Sequence, residues 1–139
     1  DNVHVGVGVC IFGGGGVTRA ERDKGARGER EVAAIFRAHG FECERTPNSG
    51  GLHIPGDIVG VTGVHVEVKR QETARPWAWF EQAARESLVT PGYVIPVVAF
   101  RRNGSDWLAL LPLADLVKLL TLSGKPPAYD PALEELCGG

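Results

Sequence analysis

Two short valine-rich runs, "DIVG" (57–60) and "VHVEVKR" (64–70), flank the three residues Val61, Thr62 and Gly63. β-Branched runs broken by a glycine-bearing turn read as a β-hairpin, and a hairpin fixes which side chains face one another. With a three-residue connection, Asp57 falls directly opposite Glu67 on one face, the Cβ atoms roughly 5 Å apart, where like charges destabilise a sheet. A two-residue connection sends Asp57 to the valine face instead, a worse place for a charge. Taken alone, the second run is an ordinary half-solvated strand, with Val64, Val66 and Val68 inward and His65, Glu67 and Lys69 outward. Taken as a pair, the hairpin needs something to offset two opposed carboxylates, and a divalent cation is the economical candidate.

A third acid comes from residues 19–39, whose pattern is helical and which Gly40 closes. Val32, Ile35 and Phe36 define its core stripe, and Glu29, three residues before Val32 and seven before Phe36, lies on that stripe. Arg30, Glu31 and Arg37 are expected to point elsewhere, while Gly25 and Gly28 leave room for a neighbouring backbone. Glu29, Asp57, Glu67 and Lys69 are therefore the candidate catalytic residues. Hard carboxylate oxygens suit Mg²⁺, with Mn²⁺ as a substitute, and such an ion acidifies a bound water and neutralises charge on phosphorus. Lys69, two residues and ~6.6 Å along the strand from Glu67, is placed to orient that water or hold the scissile phosphate.

Composition sets the frame for this chemistry. At 139 residues, 43% hydrophobic and 23% charged, the chain has the make-up of one ordinary globular domain. No apolar run approaches the ~20 residues of a membrane span, and the first residues lack the basic start and small-residue cleavage site of a secretory signal. Cys10, Cys43 and Cys137 are odd in number and show no CxxC spacing, which argues against a disulfide framework or a zinc site and for a reducing, cytoplasmic setting. Net charge is −2, but residues 19–102 hold 13 Lys and Arg against 11 Asp and Glu. With three of those acids on a cation, the surrounding surface is basic enough for a phosphate-rich partner.

The expected organisation is a Gly-rich leader (1–18), one domain (19–123) and a tail (124–139). Within the domain, after the first helix come a strand at 41–46, a loop at 47–56, the hairpin, a helix at 75–89, a strand at 93–102, a turn at 103–105, a hairpin partner at 106–112 and a helix at 113–122. The order α-β-β-β-α-β-β-α predicts an α/β fold, one central mixed sheet flanked by helices. The leader carries neither a GK[ST] nor a complete dinucleotide glycine fingerprint.

Asp57, then Glu67-Val68-Lys69 ten residues on, resembles the PD-(D/E)XK nuclease motif, with Gly56 where that family often has Pro. "KGARGERE" (24–31) is similar to the opening helix of archaeal-type (Hjc-like) Holliday junction resolvases, whose helix glutamate corresponds to Glu29. "HGFECER", "TPNSGG", "IPVVAFRR" and "DWLALLPLADL" follow that family's order from residue 24 to about 120. The resemblance implies a restriction-endonuclease-like fold, a homodimer and cleavage of four-way DNA junctions. It also implies a metal held by Asp57, Glu67, Glu29 and Val68, and a loop serine, Ser49, near the scissile phosphate. Lys24, Arg27, Arg30, Arg70 and Gln71 are further candidate DNA contacts, and Trp77, Trp79 and Phe80 are candidates for stacking on unpaired bases, one or two of them belonging to the core instead. Two other readings stay open: a general PD-(D/E)XK nuclease of a phage or mobile element acting on other double-stranded or flapped DNA, and a non-catalytic DNA-binding module of the same fold.

Overall fold

A computed structural model describes residues 16–47, 56–89 and 92–124. Helix α1 (Arg19–Ala38) starts at a capping box: the Thr18 hydroxyl accepts from the Glu21 backbone N–H, and the Glu21 carboxylate accepts from the Thr18 N–H. Its end is closed by Gly40, and Phe36 meets Phe41 edge to face across the chain reversal, ring centroids 5.7 Å apart. Strands β1 (Glu44–Arg45), β2 (Ile58–Val59) and β3 (Val64–Arg70) pair antiparallel in sequence. Helix α2 (Pro76–Ser87) then carries the chain to β4 (Ile95–Arg101), which lies parallel to β3, and β5 (Leu108–Leu110) returns antiparallel to β4. Helix α3 (Leu113–Leu122) follows. The sheet order is β1-β2-β3-β4-β5, so the mixed sheet and the α-β-β-β-α-β-β-α order are those expected. The first strand is shorter than residues 41–46, and the leader (1–18) and tail (124–139) lie for the most part outside the described residues.

The hairpin register pairs Ile58 with Val66, which sets Asp57 across from Glu67. Gly63, at φ +81°, makes the turn that the three-residue connection requires. The half-solvated reading of β3 fails, however. Val66 is fully buried, but His65 and Glu67 are only 5% and 3% exposed. The reason is tertiary: a parallel β3–β4 pair needs a crossover, and that crossover is α2, which covers the face α1 leaves open.

On the α1 face, Val32, Ala33, Cys43, Ile58, Val61, Val66 and Ala99 form the main core, with Phe36, Val64, Val68 and Trp107 against it. Ile35 is 44% exposed and sits outside this stripe, which runs instead through Gly28, Val32 and Ala33. At Gly28 an added Cβ would lie 3.3 Å from the Trp107 ring and 3.4 Å from Arg70 Cβ, so the close approach expected there is present; at Gly25 nothing lies near. Glu31 does not point away. It accepts from Trp107 Nε1 at 3.1 Å and pairs with Arg70 and Arg101, each at 3.4 Å, joining α1 to the ends of β3 and β4. On the α2 face, Trp79, Ala83 and Val98 make a smaller cluster with Phe100 and Leu110. No helix among the described residues is long and apolar enough to cross a membrane.

Candidate active site

Asp57 is held from three directions. Its carbonyl accepts from the Thr46 N–H at 2.9 Å, its N–H donates to the Val66 carbonyl at 2.8 Å, and its carboxylate accepts from the Val68 N–H at 2.7 Å. The neighbouring Gly56 carbonyl accepts from the Thr46 hydroxyl at 2.8 Å. Asp57 is thus aimed by backbone on both sides, and the Val68 N–H spent on it belongs to the Glu-Val-Lys strand itself. Burial pushes its carboxyl above the usual range, against the pull of the Val68 hydrogen bond and the Lys69 charge.

Glu67 and His65 leave β3 on the same side, two residues apart. His65 Nε2 lies 3.1 Å from Glu67 Oε1 and 3.9 Å from Glu86 Oε2, the latter carried in by α2. Burial, reinforced by the neighbouring Glu86 and Asp57 carboxyls, pushes Glu67 up to about 7 even though His65 opposes the shift. Glu86 is held below the usual range, first by the neighbouring Glu67 carboxyl and then by Gln82. Lys69 donates to Gln82 Oε1 at 2.8 Å, and Gln82 in turn donates to Glu86 at 3.1 Å, so α2 positions the lysine as well as the second glutamate.

Glu29 stands at the edge of this group. Arg45 Nε donates to its carboxylate, burial raises its pKa, and the Asp57 charge raises it further. The structure therefore brings Asp57, Glu67 and Lys69 together with His65, Glu86 and Gln82, and leaves Glu29 within electrostatic reach of Asp57 while tied to Arg45. Reading the sequence alone passes over Glu86 and Gln82. Their signal is the i, i+4 spacing beside Trp79 and Ala83, which puts a polar edge next to the buried stripe of α2.

Of the candidate DNA contacts, Arg27, Arg30 and Gln71 are exposed. Lys24 pairs with Glu72 at 3.4 Å, and Arg70 is engaged with Glu31. Ser49 lies outside the described residues. Gln71 lines a cleft of about 560 Å³ with Arg101 and Arg102 at the ends of β3 and β4. Trp79 is 5% exposed and belongs to the core, whereas Trp77 is 80% exposed and lines, with Phe80 and Leu110, an apolar cleft of about 360 Å³.

The donor chemistry fits a divalent cation. Asp57, Glu67 and Glu86 bring three carboxylates together; burial chiefly, and the neighbouring negative charge in addition, raise the protonation of Asp57 and Glu67, a cost that a bound cation would offset.

Residues 20–129 match a protein family described as "Phage putative PDDEXK endonuclease". The chain belongs to that family, and it is a PD-(D/E)XK nuclease. Among solved structures, an Hjc Holliday junction resolvase from the archaeal hyperthermophile Archaeoglobus fulgidus is similar with a TM-score of 0.47 and 23% identity, over 63% of this chain and 76% of its own. No curated protein matches the chain.

Proposed function

We propose that this nuclease is a divalent-metal-dependent DNA endonuclease that resolves four-way junctions as a homodimer, working on DNA in the cytoplasm. The observation that carries its hydrolytic part is the buried meeting of Asp57 and Glu67 beside Lys69. Asp57 and Glu67 would hold the cation, Mg²⁺ or Mn²⁺, together with the Val68 backbone and Glu29. When bound, the ion acidifies a water and neutralises charge on the phosphate. Lys69, steadied by Gln82, presents its ammonium to the scissile phosphate, where it favours the extra charge of the transition state. Hydrolysis adds water across one P–O bond: the oxygen joins phosphorus, and the proton goes to the departing sugar oxygen. Arg27, Arg30 and Gln71 contribute phosphate contacts around the site, with Lys24, Arg70 and the loop serine Ser49 as further ones.

Branch selectivity is supported by Trp77, whose exposed indole offers a face for an unpaired base. A homodimer is supported by α3, which leaves Leu113, Val117, Leu120 and Leu122 more than half exposed. A second reading, a general phage nuclease that cuts duplexes or flaps without regard to junctions, is favoured by the family description.

The test is incubation of a labelled four-way junction, a flap and a matched duplex with the protein in Mg²⁺, Mn²⁺ or EDTA. Paired symmetric nicks confined to the junction, lost in EDTA and in Asp57→Asn, support the first reading. Equal cutting of duplex and junction supports the second. Binding without cutting in either metal would leave a non-catalytic module.

A further inference from the structure

We propose that His65 and Glu86 are ligands of the metal centre, so that the site contains an imidazole nitrogen and selects Mn²⁺ over Mg²⁺. This rests on the reading of Asp57 and Glu67 as metal-holding residues, and extends it to two side chains that the Asp and Glu-x-Lys motif does not include.

The geometry supports a shared ion. One donor atom each from His65, Glu67 and Glu86 lie within 4.8 Å of one another. The 3.1 Å and 3.9 Å separations of His65 Nε2 from Glu67 and Glu86 fall inside the span of two ligands on one ion, which at ~2.1 Å per bond reaches about 4.2 Å across it. The imidazole has been placed for this. Its side chain is 2% exposed, its other nitrogen lies beside Gly56, where an added Cβ would come within 3.3 Å, and Nε2 is left turned to the two carboxylates. A histidine whose only task was to fill the core has no need to face two acids from different elements, one on β3 and one on α2.

The chemistry follows from the donor. Mg²⁺ prefers an all-oxygen shell and seldom takes imidazole, whereas Mn²⁺, Co²⁺ and Zn²⁺ accept it readily, and affinity rises along that series. Adding one nitrogen to two or three carboxylates therefore shifts the balance between Mn²⁺ and Mg²⁺ without changing the net ligand charge. The competing role for His65 is a positioning one, in which it only orients Glu67 by hydrogen bonding.

Electron spin-echo spectroscopy of the full chain with Mn²⁺, together with calorimetric titration of Mn²⁺ and Mg²⁺, separates these. The expected result is ¹⁴N coupling to bound Mn²⁺, and Mn²⁺ affinity at least about tenfold above Mg²⁺. In His65→Gln the nitrogen signal vanishes and the two affinities converge; in Glu86→Gln the nitrogen signal persists while both affinities fall. The wild-type spectrum needs no variant to fold, and melting curves check the two that are used. Mn²⁺ bound without ¹⁴N coupling overturns the inference while leaving the proposed nuclease centre intact. Absence of any binding that Asp57→Asn removes overturns both.

Discussion

The two faces of β3 are both buried, yet they are built from opposite chemistry. Toward α1 the strand presents Val64, Val66 and Val68 to a continuous apolar cluster. Toward α2 it presents His65, Glu67 and Lys69 to Gln82 and Glu86, with the apolar contact of that helix moved to Trp79 and Ala83 against β4. Burial on the first face stabilises by roughly 25 cal/mol per Å² of apolar surface. Burial on the second face desolvates carboxylates and stabilises only as far as their partners offset that cost. One strand thus separates what holds the fold together from what makes it reactive, and the two can be perturbed independently.

The largest expected effect is on the acid face. Asp57→Asn and Glu67→Gln should each lower cleavage by on the order of 10³-fold, about 4 kcal/mol of transition-state stabilisation. DNA binding in EDTA should persist or tighten, because each substitution removes a charge that repels phosphate. The metal-free protein should melt no lower than wild type, since a buried charge has gone. A labelled-strand cleavage assay beside a melting curve reads both, and a variant that cuts at the wild-type rate defeats the site assignment. Glu29→Gln should lose less, because its carboxylate is tied to Arg45.

The valine face should respond in the reverse way. Val66 is fully buried in the α1 cluster, so Val66→Ala should cost roughly 2–3 kcal/mol of stability, a fall in Tm of roughly 10 °C. Cleavage well below that melting point should stay within about twofold, since the backbone that aims Glu67 is retained. Equal damage to rate and stability would mean the two faces are not separable.

A smaller effect concerns pH. Glu67 sits at about 7 in the folded protein against 4.5 for its ordinary value, so between those limits the folded chain binds more protons than the unfolded one. Stability of the metal-free protein is then greatest below about pH 4.5 as far as Glu67 is concerned, and is lost as pH rises through about 7. Between about pH 6 and pH 8 the melting temperature should drop by roughly 5 °C, and Glu67→Gln should flatten that slope. A slope that survives the substitution assigns the titration to another group.

The same contrast separates what is legible in the sequence from what is not. The hairpin register follows from local rules, because a three-residue turn and two-residue alternation leave one arrangement that keeps Asp57 off the valines. The helix ends follow from Gly40 and Pro76. Double burial of β3 does not follow, because it is decided by where α2 lands, and nothing within residues 64–70 encodes that. For the same reason the sequence does not join Glu86 to His65 and Glu67: their meeting depends on a crossover, and the eighteen residues between Glu67 and Glu86 carry no direct mark of it. Glu31 illustrates the other failure. Its position off the apolar stripe points to solvent, but Arg70 at the end of β3, Arg101 at the end of β4 and Trp107 just before β5 converge on it and make it a half-exposed tie.

The smallest expected effect lies on α2, at the tryptophan that packing leaves out. Trp79 and Trp77 are two residues apart on one helix, roughly 200° around its axis, and their exposures of 5% and 80% follow from that angle. Trp79 meets Phe100 with ring centroids 5.6 Å apart and is part of what fixes α2, and with it Gln82 and Glu86, over the site. Trp77 holds nothing in place, so Trp77→Ala should leave Tm nearly unchanged, within roughly 0.5 kcal/mol of stability. If its indole stacks on an unpaired base, the substitution should weaken binding of a four-way junction or flap by about 1–2 kcal/mol while binding of a matched duplex barely moves. Fluorescence anisotropy with the three DNAs, in EDTA to prevent cutting, measures this directly. Equal weakening on all three would make Trp77 a general contact, and no weakening on any would leave the apolar cleft beside it to a protein surface, the second copy of the chain being the one to examine by sedimentation.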